Sequence, residues 1–187
     1  MKLALVASAL SAAVVLAAPA EQDCNNVDNC YGGIHGWGGY VPVAPYQANL
    51  YTACRNDPTA LGGTGNLWAS KPCVALATSS LKIGPENLQN VLSCDNQNLT
   101  CIWQEPHLDY NIYAGIVGDC AWQPNGCPIT QQNYIDFIYG TLSDIGSGDW
   151  PSSVDTLLSE GWQPLLDWTK TGETIPYTNF DDFLHYG

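Results

Sequence analysis

Eight cysteines, Cys24, Cys30, Cys54, Cys73, Cys94, Cys101, Cys120 and Cys127, constrain this chain of 187 residues more than any other feature. An even set at this density reads as a disulfide framework, with roughly a hundred possible connectivities. Short gaps point to local bridges at Cys24–Cys30, Cys94–Cys101 and Cys120–Cys127, with Cys54–Cys73 as a longer staple. A zinc site is the poorer use of these thiols. No C-x2-C spacing occurs, and the histidines are only His35, His107 and His185. No metal and no cofactor are expected. Because the cysteines stop at 127, the rest of the chain must be held by packing alone.

The N-terminus gives the compartment. Met1-Lys2 precedes an apolar run from Leu3 to Ala18, and Ala18-Pro19-Ala20 offers a small-residue cleavage site. Residues 1–20 therefore read as a secretory signal peptide, which fits an oxidising, extracellular location. Residues 21–187 then form a single cysteine-rich domain. Nothing else in the chain approaches a membrane span, so membrane insertion is not expected. The chain has 5 basic residues against 18 acidic ones and a formal net charge of −13, which speaks against nucleic-acid binding. An apolar share of 45% excludes a disordered polyelectrolyte, and a charged share of 12% excludes a long exposed helix.

Residues 21–45 read as irregular, because Tyr31 to Tyr40 is half glycine and Pro42 and Pro45 follow. From Pro45 the pattern is helical, with Tyr46, Leu50, Tyr51 and Cys54 on one face. Asn56 to Gly65 reads as a long turn. Helices follow near Lys71-Pro72, carrying Val74 to Ala77, and at Pro85, carrying Leu88, Val91 and Leu92. The aromatic and β-branched residues of 99–120 leave room for one short β-hairpin. The part from 131 to 187 is helical. Thr130 caps a helix with Tyr134, Phe137, Ile138 and Leu142 inward, and Gly146 ends it. Ser152 or Ser153 caps another with Val154, Leu157 and Leu158 inward, and Trp162, Leu165, Leu166 and Trp168 extend that surface. Asn179 opens a terminal helix with acids in its first turn. The fold expected is mainly α, a small disulfide-stabilised single domain.

The chain has no G-x-S-x-G, H-E-x-x-H, P-loop or G-x-G-x-x-G motif. Glu105-Pro-His107-Leu-Asp109 is its most chemical stretch. On an extended backbone two carboxylates would flank an imidazole there, as acid–base chemistry or a cation site requires. A solvated loop is the plainer reading. Asp119 is the remaining clustered carboxylate. Asp181 and Asp182, four and three residues before His185, read as ordinary surface pairing on a helix. Cys101-Ile-Trp103-Gln-Glu-Pro106, Cys120-Ala-Trp122-Gln-Pro124 and Trp162-Gln-Pro164 echo one another. Indoles beside amides can stack on sugar rings, which makes Trp37, Trp103 and Trp122 possible glycan contacts; packing under disulfides is the alternative use. Asn98-Leu99-Thr100 is an N-glycosylation sequon.

The leader ending in Ala-Pro-Ala, the even cysteine set, the acidic balance and the absence of catalytic motifs together resemble small secreted cysteine-rich fungal proteins of the effector or elicitor type. The resemblance implies structural disulfides and extracellular action on a host, as in virulence or cell-death induction. The partner would be a host extracellular or membrane-receptor protein. Hydrophobins are excluded, since no Cys-Cys pair occurs. Three readings follow. The first is a non-enzymatic interaction protein. The second is a protein that binds cell-wall polysaccharide. The third is a small acidic glycoside hydrolase using two of Glu105, Asp109 and Asp119.

Overall fold

The computed structural model describes residues 43–61, 65–94, 102–124 and 126–187 together with Cys30; for Trp103 it describes the backbone alone. The leader, most of the 21–45 segment, Cys24, Trp37, Asn98 and Cys101 lie outside the described residues.

Helix α1 (Pro45–Arg55) starts on a proline, whose missing N–H is no loss in a first turn, and buries Tyr46, Gln47, Leu50 and Cys54. The stretch read as a long turn contains a single helical turn, α2 (Pro58–Leu61). A 3-10 turn at Leu67–Ala69, capped by the Asn66 side chain on the Trp68 N–H, leads into α3 (Lys71–Thr78). Every residue of α3 from Cys73 to Thr78 is buried. Helix α4 (Pro85–Leu92) turns Leu88, Gln89, Val91 and Leu92 inward.

The expected room for a hairpin is filled by helix. Ile102–Gln104 and Asp119–Trp122 are 3-10 turns, and between them lies α5 (Tyr110–Val117). Asp109 caps α5 by accepting the Asn111 N–H at 2.7 Å. Tyr113, Ile116 and Val117 then fall at i, i+3 and i+4, so the same aromatic and β-branched residues serve as a helical stripe. Among the described residues the β-type pairing is an isolated antiparallel bridge, Ile129 with Ile175.

Helix α6 (Gln131–Asp144) opens on a reciprocal cap between Thr130 and Asn133 and buries Tyr134, Phe137, Ile138 and Leu142, as its spacing requires. Gly146, at φ 66°, follows its end. Ser153 caps α7 (Val154–Leu157), which runs through a π turn (Leu158–Trp162) into α8 (Gln163–Thr169). Of the three residues expected inward, Leu157 is buried, Leu158 half-buried and Val154 exposed. The final helix α9 (Tyr177–Tyr186) begins two residues before the expected cap at Asn179, because Pro176 already stands at the helix entry. Asp181 and Asp182 therefore lie in its second turn.

Two of the expected bridges form, Cys54–Cys73 and Cys120–Cys127, and the other two are overturned: Cys30 pairs with Cys94, so neither Cys24–Cys30 nor Cys94–Cys101 forms. The end of α4 places Cys94 with its Cα 4.8 Å from that of Cys30. Gap length is a weak guide to pairing, since closing 64 residues instead of 7 costs only about 2 kcal/mol more in loop entropy. The described bridges all precede residue 128, and the chain beyond is held by packing and hydrogen bonds.

One glycine shows how tight that packing is. Gly161, in the π turn, lies against the Tyr134 hydroxyl and the Thr78 carbonyl; a Cβ there would meet the former and sit 2.7 Å from the latter. The Tyr134 hydroxyl itself donates to the Thr78 carbonyl at 2.9 Å. We expect Gly161→Ala to cost about 1–3 kcal/mol in denaturant unfolding; a change within experimental error would show that the contact yields. Peptide mapping of the non-reduced protein should recover Cys30–Cys94, Cys54–Cys73 and Cys120–Cys127, and a Cys94–Cys101 peptide would contradict the fold.

Candidate functional site

Two features share one seam of the molecule, where the 105–110 segment meets α9. The first is an open groove of about 510 Å³ lined by Tyr110, Tyr113 and Tyr177, by Gln123 and Thr174, and by Pro124, Pro128 and Pro176. Its tyrosines form one cluster, with ring centroids 5.1–5.5 Å apart. Trp122, adjacent to the lining residue Gln123, packs edge-on against Tyr110 at 5.0 Å yet remains 63% exposed.

Each tyrosine hydroxyl donates to a backbone carbonyl: Tyr110 to Ala121 at 2.7 Å, Tyr113 to Cys127 at 2.5 Å and Tyr177 to Leu108 at 2.8 Å. These bonds fix the rings before any ligand arrives, while each phenol oxygen keeps acceptor capacity. Two of the accepting carbonyls belong to the loop closed by Cys120–Cys127. The opposite wall is tied to it by the Ile129–Ile175 bridge, whose two N–H···O bonds measure 2.8 and 2.9 Å. Among the described lining residues there is no Asp, Glu, Lys or Arg, so these walls are neutral within a strongly acidic protein.

The second feature is a cluster around Asp181. Its Oδ2 lies 2.5 Å from His107 Nδ1, and its Oδ1 accepts the Leu108 N–H at 2.8 Å. His185, one helical turn further on, has Nδ1 3.6 Å from Asp181 Oδ1. That nitrogen is also 2.8 Å from the Asp181 carbonyl, and Nε2 is 2.9 Å from the Glu105 carbonyl. The His107 side chain is 85% exposed while that of Asp181 is 8% exposed.

The acid–His stretch is thus differently partnered than its spacing suggests. Glu105 turns inward and is buried, with Oε2 near the Leu67 N–H; Asp109 is spent on capping α5; neither carboxylate flanks the imidazole. The carboxylate that does is Asp181. The reading of Asp181 and His185 as surface pairing is overturned, since both are buried, whereas Asp182 is exposed. Asp119 is exposed, at the first position of its 3-10 turn. Of the possible stacking residues, Trp122 stands at the groove, and Trp37 and the Trp103 side chain lie outside the described residues. Trp68 and Trp162 are core. Sequence reasoning missed Tyr110, Tyr113 and Tyr177. The i, i+4, i+8 spacing of Tyr177, Asp181 and His185 is the signal that marks one face of α9.

Burial, with the neighbouring Tyr110, raises the Tyr113 phenol above its ordinary value; burial followed by Asp181 raises Tyr177. Burial, with the Glu160 charge adding to it, pushes Tyr46 up to about 12, and burial holds Tyr134 well above the usual range. A group whose folded value is raised contributes stability that is complete below the unfolded value, about pH 10, and is lost as pH climbs through the folded one. We therefore expect stability to fall between about pH 10 and 12. Phenolate absorbance in the native state at pH 11 should account for fewer than the ten tyrosines present. All ten titrating together, as in the unfolded chain, would contradict the buried cluster. Compared with models of known protein families, with curated proteins and with solved structures, the chain matches none.

Proposed function

We propose that the protein is a secreted, disulfide-stapled interaction protein that binds a neutral cell-wall glycan in the tyrosine groove beside Trp122. The observation that carries this reading is the exposed indole on a pre-fixed aromatic platform with no acidic or basic side chain among its described lining residues. A pyranose ring presents C–H bonds on its faces and hydroxyls around its edge. It can lay a face on Trp122 or Tyr110 while Gln123, Thr174 and Thr178 offer amide and hydroxyl groups at the rim. Such a surface releases water from apolar rings without having to desolvate a charge.

The charge balance favours a neutral ligand. An anionic polysaccharide would meet a net charge of −13 with no cation among the described residues of the groove wall. Glycoside hydrolysis is the weaker use, because it needs a carboxyl pair facing the substrate and no described lining residue is acidic. The signal-like leader and the disulfides support action outside the cell. An effector or elicitor role then follows from capture of glycan at a host or fungal wall. Among the described residues no helix is long and apolar enough to cross a membrane.

The test is a pull-down with insoluble chitin, cellulose and xylan. We expect retention on at least one, and a loss of about tenfold in affinity for Trp122→Ala, equivalent to about 1.4 kcal/mol, with unchanged melting temperature. Undiminished retention of the variant, or failure of the native protein to bind any neutral polysaccharide, would remove this reading.

A further inference from the structure

The cluster around Asp181 has a use that the groove does not absorb. Ligand-capable atoms of His107, Asp181 and His185 all lie within 4.8 Å of one another, on two buried residues and one exposed one. The Glu105 carbonyl can only accept, so the hydrogen bond at His185 Nε2 puts a proton on that nitrogen. In the neutral ring this leaves the Nδ1 lone pair facing oxygen acceptors: the Asp181 carbonyl at 2.8 Å and Oδ1 at 3.6 Å. His107 Nδ1 meets Asp181 Oδ2 from the exposed side, where it donates a proton in one tautomer and offers a lone pair in the other. Electron pairs brought together in a buried place require positive charge between them, as protons or as a metal ion.

We propose that His107, Asp181 and His185 bind one divalent transition-metal cation of the zinc or copper type. Two imidazoles and a carboxylate suit those metals, whereas calcium and magnesium call for oxygen ligands throughout. The supporting groups that usually orient such ligands are already placed. His185 Nε2–H donates to a backbone carbonyl, and Asp181 Oδ1 accepts the Leu108 N–H. Bound ligand atoms sit roughly 3–4 Å apart around a zinc-sized ion, so the widest pair must close by about an ångström while His107 Nδ1 and Asp181 Oδ2, 2.5 Å apart, separate by about as much. His107, exposed and carried on the 105–109 segment, is the side chain free to do so, and its open side leaves coordination positions to water.

The site would supply what the disulfides do not. The chain after Cys127 has no cysteine, and this ion would tie α9 to a segment 74 residues earlier. Closing a loop of that size through a metal stabilises the fold by the binding free energy itself.

The test uses untagged protein stripped with chelator and titrated with Zn²⁺ by calorimetry, with thermal unfolding and Cu²⁺ paramagnetic resonance in parallel. We expect one equivalent bound, a melting temperature that rises with Zn²⁺, and nitrogen coordination in the copper spectrum. His107→Ala, at an exposed position, should weaken binding by about tenfold or more while keeping the helical circular dichroism. His35→Ala should bind like the native protein. The proposal fails if no saturable binding occurs up to about 1 mM, or if His107→Ala binds as tightly as the native chain. Either result would assign the positive charge at Asp181 to protons.

Discussion

Helix α3 turns six consecutive residues, Cys73 to Thr78, away from water, and the remaining elements are placed by the need to cover all of its sides. A helix apolar on every side cannot lie on a surface. Helix α1 covers one side and is fastened there by Cys54–Cys73. Helix α6 covers another, with Tyr134 reaching the Thr78 carbonyl. The π turn closes a third, where the absence of a side chain at Gly161 admits backbone against backbone. The Leu81 N–H is then accepted by the Glu160 carbonyl, which ties the turn after α3 to the same wall. Buried helix ends are thereby satisfied by neighbouring elements instead of by solvent.

From this core the functional surface follows by short steps. Leu108 is gripped by α9 on both its polar groups: its N–H by Asp181 and its carbonyl by Tyr177. That clamp sets Tyr110 against Tyr177 with ring centroids 5.2 Å apart. Cys120–Cys127 holds the loop whose carbonyls receive the other two phenols. The aromatic groove and the His107–Asp181–His185 cluster are consequently two outputs of one piece of packing. A disturbance of the α9 contact with the 105–109 segment reaches both.

Tryptophan is divided between two jobs. Trp68 and Trp162 fill the core, while Trp122, Trp150 and Trp168 hold rings at the surface. Trp150 stacks on Tyr139 and Trp168 meets Phe183 edge-on, so each has an aromatic partner, as Trp122 has in Tyr110. The repeated Trp-Gln-Pro pattern does not mark one role. At 162–164 it carries the chain from a buried indole into α8, and at 122–124 it presents an exposed indole at the groove. Local sequence sets the turn, and the neighbours decide whether the ring is covered.

Sequence alone determined the helical class and most helix positions, because apolar spacing, the prolines at helix starts and the Thr130 cap act within a few residues. It also carried the Cys54–Cys73 and Cys120–Cys127 pairs. Tertiary structure decided what depends on distant partners. Cys30 found Cys94 across 64 residues because α4 ends beside it. Glu105 and Asp109, neighbours of His107 in the chain, turned to the Leu67 N–H and the start of α5, and the carboxylate came instead from Asp181. Which tyrosines share a groove was equally unreadable, since Tyr110 and Tyr177 meet only after α9 docks. Alternation along a strand or helix reports which residues share a face of one element, but a site assembled between elements is fixed by how their buried faces pack.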